Sequence, residues 1–181
     1  MNSTAPLLAI GEPSPWIVRH AGLLPAEGQV LDLAAGSGRH TRFFSELGRS
    51  VLAVDREVGG LADLQTVSGI DVLALDLETA QGWPLPGRQF AAIVVTNYLH
   101  RPLLPFLGAA LRPGGVLLYE TFAAGNERFG RPSNPAFLLQ PGELLRVAQA
   151  AGLTVAAYEH GEVVTPRPAV IQHIAAKKPV Q

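Results

Sequence analysis

A chain of 181 residues is long enough for one domain with a sizeable core, and its 48% hydrophobic content excludes a disordered polymer. The net charge is −1, the only lysines are Lys177 and Lys178, and the arginines are scattered, which argues against a basic face for nucleic acid. The absence of cysteine excludes disulfides, thiolate metal sites and a thiol nucleophile.

The elements alternate along the chain. A short helix is predicted over 13–21, then an apolar strand over 29–34 that breaks into Gly36-Ser37-Gly38 as a helical pattern opens. That helix, over 37–47, stops at Gly48, a suitable C-terminal cap. A second apolar strand over 50–54 ends at Asp55, and a helix is predicted over 57–67. A third strand over 71–75 ends at Asp76. Residues 78–89 carry Gly82, Pro84, Pro86 and Gly87 and read as loop. The fourth strand over 90–95 is the most continuous apolar run.

Pro102 suits the first turn of the next helix, which runs to about Arg112. The turn Pro113-Gly114-Gly115 then leads into a strand over 116–119 that ends at Glu120. Residues 121–140 show no periodic pattern, and so long a loop in a small domain is usually functional. A helix over 141–151 and strands near 153–159 and 169–176, read as an antiparallel pair, complete the chain. Strand and helix in alternation imply a parallel sheet wrapped by helices. No run approaches the roughly 18 apolar residues of a membrane helix, and the stretch 6–10 is too short for a signal core, so a cytoplasmic protein is expected.

Ligands of open α/β sheets bind beyond the carboxyl ends of the strands, where Asp32, Asp55, Asp76, Asn97 and Glu120 all stand. The glycine spacing separates two cofactor classes. A dinucleotide loop needs a third glycine where this chain has Thr41, and Asp32 would repel a pyrophosphate. An ammonium-bearing ligand would welcome that acid. The stretch from Asp32 to Gly38, with Asp55 after the next strand, resembles motif I of the class I S-adenosylmethionine-dependent methyltransferases, departing from it at Ala34, where the family carries glycine. The text from Tyr119 to Leu144 resembles a loop of small bacterial members related to the tellurite-resistance and thiopurine methyltransferases.

The resemblance implies a Rossmann-like seven-stranded, mostly parallel sheet with an antiparallel C-terminal strand and helices on both faces, spanning residues 1–181 as a single domain. It implies S-adenosylmethionine as cofactor, with Ala34, Gly36 and Gly38 at its methionine part and Asp32 acting on its ammonium directly or through water. Asp55 would take the ribose hydroxyls, Asp76 and the backbone of Leu77 the adenine, and Asn97 is a further cofactor-binding residue, at the end of the fourth strand. His100 and Glu120 are candidate proton acceptors.

Tyr98, Phe122, Asn126, Phe129 and Arg131 would line an acceptor pocket, closed from the other side by Trp16 and Arg19. Each residue also has a plainer reading. Asp32 would brace the loop, Asp55 and Asp76 would cap turns, Trp16 would be core, His100 would pack or cap, and 121–140 would be an Ω-loop over the sheet end. The expected partner is a small-molecule methyl acceptor, with no nucleic acid, membrane or metal, in a monomer or homodimer. Asn97-Tyr98-Leu99 lacks the prolines of the amino-directed DNA methyltransferases. The alternatives are a non-catalytic protein that binds the cofactor, an RNA methyltransferase and an NAD-dependent oxidoreductase.

Overall fold

The computed structural model describes residues 10–78 and 82–180. Most of the apolar run 6–10, and part of the predicted loop 78–89, lie outside the described residues. Strands β1 (Val30–Leu33), β2 (Val51–Asp55), β3 (Ile70–Ala74), β4 (Phe90–Thr96), β5 (Leu111–Phe122), β6 (Thr154–Val163) and β7 (Ala169–Lys177) form one sheet in the order β3-β2-β1-β4-β5-β7-β6. The neighbours from β3 to β5 pair in parallel, and β7 runs antiparallel between β5 and β6. The order reverses between β1 and β4, so their carboxyl ends flank the crevice where such sheets bind ligands.

Side chains of a strand alternate between the faces, and this sheet is covered on both. On one face Val30, Val51, Ala92, Val94 and Leu118 pack against Trp16 and Ile17 of α1 (Pro15–His20) and Phe44 of α2 (Arg39–Glu46). On the other, Leu31, Leu33, Leu52, Ile93, Val95 and Tyr119 pack against Leu107 of α3 (Leu107–Ala110) and Leu144 and Ala148 of α4 (Glu143–Ala150). Asp32 and Glu120 alternate onto the α1/α2 face. Among the described residues no helix is long and apolar enough to cross a membrane.

Three elements differ from expectation. The helix expected over 57–67 is a 3-10 helix, Val58–Leu64, because Gly59 and Gly60 favour no regular α-turn there. The helix expected up to Arg112 is a 3-10 segment, Arg101–Phe106, followed by the single turn of α3. Pro105 inside it lacks the amide donor that an α-helix needs. Strand β5 begins at Leu111, ahead of Pro113-Gly114-Gly115. Phe90 pairs with Leu111 and Ala92 with Val116, so the intervening residues form a bulge within the strand.

Candidate functional site

The strand-to-helix turn after β1 is built from residues in the left-handed region: Ala34 at φ 59°, Gly36 at 57° and Gly38 at 76°. A Cβ on Gly38 would come within 2.6 Å of Leu61 Cδ2, so the loop is packed tightly from below. At Gly36 the same test finds nothing within 4 Å, and the backbone lies bare. Asn97, just past β4, also has a positive φ, of 54°. Among the described residues, the two non-glycine residues held in this costly region therefore stand at the carboxyl ends of the two strands that flank the switch point.

A cleft of about 590 Å³, counting its open mouth, adjoins this turn and is lined by Ala34, Asp55, Arg56, Asp76, Leu77, Glu78 and Tyr98. Asp55 braces the turn itself. Its Oδ2 accepts the Gly36 N–H at 2.8 Å and its Oδ1 the Glu57 N–H at 2.9 Å. Two of the four lone-pair directions of the carboxylate are thereby used and two remain for a ligand. Asp76 Oδ1 accepts the Glu78 N–H at 2.9 Å, the turn-capping contact, while the residue still lines the cleft. Arg56 and Glu78 are lining residues that sequence reasoning missed; both directly follow residues it named.

Asp32 is 2% exposed and does not line the cleft. Its Oδ2 accepts the Thr41 hydroxyl at 2.6 Å, which ties β1 to the first turn of α2 under the glycine loop. Burial pushes its pKa up to about 6, against the pull of the Thr41 hydrogen bonds and the Arg39 charge. The plainer reading, a loop-bracing carboxylate, describes this geometry, and direct contact with a cofactor ammonium does not. Thr41, conspicuous in the sequence as the residue that spoils a dinucleotide loop, is the other half of the brace.

Glu120 belongs to a second buried cluster beneath α1. Thr96, Glu120 and His173 are register partners across β4, β5 and β7. The Ser14 hydroxyl donates to Glu120 Oε2 at 2.6 Å, and His173 Nδ1 lies 3.3 Å from the same oxygen, close enough for attraction but off line for a hydrogen bond. Burial opposes the charge of Glu120, but His173 and Ser14 outweigh it and hold the carboxyl below its usual range. His40 Nε2 accepts the Ser14 N–H at 3.1 Å. Burial, aided by the Arg39 charge, lowers the His40 pKa to about 4, so this imidazole is neutral and serves as an acceptor.

Sequence reasoning missed Ser14, Thr96 and His173. The register that joins Thr96 and His173 to Glu120 crosses three strands, Ser14 reaches Glu120 from the start of α1, and no local pattern encodes either. Trp16 roofs the cluster, with its ring centroid 5.0 Å from His173 and its Nε1 donating to the Ile174 carbonyl, and it is 3% exposed. It is core and does not line the cleft. Arg19 is exposed and pairs with Glu159.

His100 lies elsewhere. It lines a small cavity with Leu33, Val95, Leu103, Leu107 and Tyr119, on the α3/α4 face of the sheet. The two candidate proton acceptors are therefore on opposite faces, and neither lines the cleft. Of the predicted acceptor-pocket residues, Tyr98 alone does so.

The loop 121–140 packs toward β7 instead. Phe122 clusters with Leu138 and Ala169, and Ala123 bridges Leu139. Asn126 is 2% exposed, its amide nitrogen donating to the Pro132 carbonyl and its oxygen accepting the Val170 N–H, so it braces the loop and has no face toward a substrate. Phe129 is exposed under the Arg128 guanidinium, and Arg131 is exposed.

No protein-family model and no curated protein sequence matches the chain. Solved structures do. The 1,6-didemethyltoxoflavin-N1-methyltransferase of Burkholderia thailandensis, with 1,6-didemethyltoxoflavin and S-adenosylhomocysteine bound, is 25% identical over 91% of this chain and 76% of its own, with a TM-score of 0.68. TehB of Haemophilus influenzae is 20% identical over 90% of this chain and 61% of its own, with a TM-score of 0.71. The [4+2]-cyclase SpnF is 17% identical over 88% of this chain and 77% of its own, with a TM-score of 0.66. The chain has the fold of the class I S-adenosylmethionine-dependent methyltransferases.

Proposed function

We propose that the protein transfers a methyl group from S-adenosylmethionine to a small-molecule acceptor. The observation that carries this reading is the cleft at the ends of β1, β2 and β3, where the bare Gly36 backbone, the half-used carboxylate of Asp55 and the Asp76-Leu77 pair stand side by side. The donor set fits the group. Asp55 would hold the ribose hydroxyls, the turn at Gly36 would let the methionine part approach the main chain, and Asp76 with Leu77 would meet the base. The cofactor supplies the methyl group together with a sulfonium leaving group. The chain supplies alignment and exclusion of water.

A small acceptor is supported by the 25% identical Burkholderia enzyme, crystallised with a small heterocycle, and by the lack of a lysine-rich face in this sequence. His100 and Glu120 do not line this cofactor cleft.

The test is release of S-adenosylhomocysteine when protein and S-adenosylmethionine are incubated with a panel of heteroaromatic amines, thiols and phenols. Turnover on an acceptor of this panel, reduced at least about 100-fold by Asp55→Ala, is expected from the loss of charge-assisted hydrogen bonds. A second reading, cofactor binding with other chemistry or none, is favoured by the cyclase that shares the fold. Tight binding without turnover on any acceptor would select it.

A further inference from the structure

Cations that lie far apart in the chain are gathered by the sheet at the end opposite the cleft. Arg49 precedes β2, Arg88 precedes β4 and Arg112 stands at the start of β5. Lys177 and Lys178, the only lysines of the chain, stand where the antiparallel β7 runs out beside Val116. In the sheet order β2-β1-β4-β5-β7 these positions form a row four strand spacings long, about 19 Å. The segment 25–29 ties the row together. Arg49 donates to the carbonyls of Pro25 and Ala26, and Arg88 to Gln29 Oε1 at 2.6 Å. A Cβ on Gly28 would come within 2.7 Å of Arg112 Nη1. Lys178 Nζ donates to the carbonyls of Gly108 and Leu111, at 2.8 and 2.6 Å. These partners are neutral, so they hold the cations in place without cancelling their charge. Among the described residues none of the five forms an ion pair. The acids at this end are Glu27, Glu46 and Asp71, all exposed, and Asp71 accepts the Gln29 amide.

Such a row attracts an anion, and its surroundings select which kind. Single-stranded nucleic acid is held by rings on which its bases stack, and the ring under Arg88, that of Phe90, is buried. A flat anionic lipid surface would meet the exposed Glu27 and Glu46 together with the cations. Two apolar side chains mark the ends of the row. Leu47, 54% exposed, closes α2 just before Arg49, and Val180, 74% exposed, packs beside Gly114 in the β5 bulge. Carboxylates between apolar side chains are what a protein segment offers, and about six extended residues span the row. We propose that this row docks an acidic segment of a partner protein, its carboxylates on the exposed Arg88 and Lys177 and its apolar residues on Leu47 and Val180. The half-buried Arg49, Arg112 and Lys178 add to the field that draws it in. The surface lies away from the cleft, and the proposal does not rest on the cofactor assignment.

The experiment is fluorescence anisotropy of a labelled peptide, a run of glutamates with leucine at either end. It is titrated with wild-type protein, Arg88→Glu and Lys177→Glu, and with Arg167→Glu, a control in the turn between β6 and β7 at the other end of the sheet. The expected result is saturable binding, weakened at least about fivefold by each row reversal and unchanged in the control. It should also weaken as salt rises from about 0.05 M to about 0.5 M. The peptide with serine in place of leucine should bind at least about threefold more weakly. Thermal melting checks the fold. Should Arg88→Glu melt lower through loss of its bond to Gln29, Lys177→Glu decides alone.

No saturable binding by wild type overturns the proposal. So does equal weakening by the row reversals and by Arg167→Glu, which would reduce the effect to net charge. Tighter binding of an oligouridylate, or of phosphatidylcholine vesicles containing phosphatidylserine, than of the peptide would overturn it too. With that binding lost in the row variants, the row would belong to nucleic acid or to lipid.

Discussion

Ala34 holds a φ of 59° at the lip of the cleft, where an L residue is disfavoured by about 1–2 kcal/mol. Ala34→Gly relieves that strain at some cost in unfolded-chain entropy, and should stabilise the protein by about 1 kcal/mol in denaturant titration. A destabilised variant would mean that the methyl group of Ala34 contributes packing worth more than the strain.

Asp32 and His40 set a pH dependence by opposed terms. The folded pKa of Asp32, about 6, lies above its ordinary 3.8, so its contribution is intact below pH 3.8 and is lost as pH rises toward 6. At neutral pH the buried charge costs about 3 kcal/mol. His40 runs the other way: its pKa falls from 6.5 to about 4, so its contribution is intact above pH 6.5 and is lost as pH falls toward 4. The two slopes oppose each other over the shared window. Asp32→Asn keeps an acceptor for Thr41 and removes one slope. Its melting temperature should exceed wild type at pH 7, and the advantage should vanish by pH 4. An advantage that persists unchanged at pH 4 would show that Asp32 does not titrate in this range.

At the scale of elements, the loop 121–140 hangs on Arg101. Its guanidinium donates to both carboxylate oxygens of Glu143, at 2.7 and 3.0 Å, and to the carbonyls of Ala136 and Leu138. Arg101→Ala should raise amide exchange across 123–139 while leaving the parallel strands as protected as in wild type. Uniform loss of protection would show that the loop and the sheet open as one unit.

The succession of strands along the chain was legible because several apolar runs ended at an acid or a glycine, as at Asp55, Asp76 and Gly36. That Ala34, Asp55, Asp76 and Leu77 line one cleft was legible for the same reason, since strand ends can be located from such punctuation. The partners of the other named residues were not. Glu120, Asn126 and Trp16 are residue types that serve equally as ligand contacts or buried braces, and their partners (Ser14, Val170 and Ile174) are brought to them only by the closed sheet. Pro105 and the pair Gly59-Gly60 carried enough information to shorten two helices, but the weight of the surrounding apolar pattern concealed it.

For the whole molecule, the topology puts one open crevice at the switch point. Two buried polar clusters, Asp32–Thr41 and Ser14–His40–Glu120–His173, fix the α1/α2 face beside it. That division of labour gives the cleft the ligand chemistry and the clusters the positioning of α1 and α2. The most direct test is calorimetry of the purified chain with S-adenosylmethionine, S-adenosylhomocysteine and NAD in parallel, repeated with Asp55→Ala. The account predicts micromolar binding of the first two, weakened at least about 100-fold in the variant, and none of NAD. Binding of NAD alone, or of S-adenosylmethionine with equal affinity by wild type and Asp55→Ala, would contradict it.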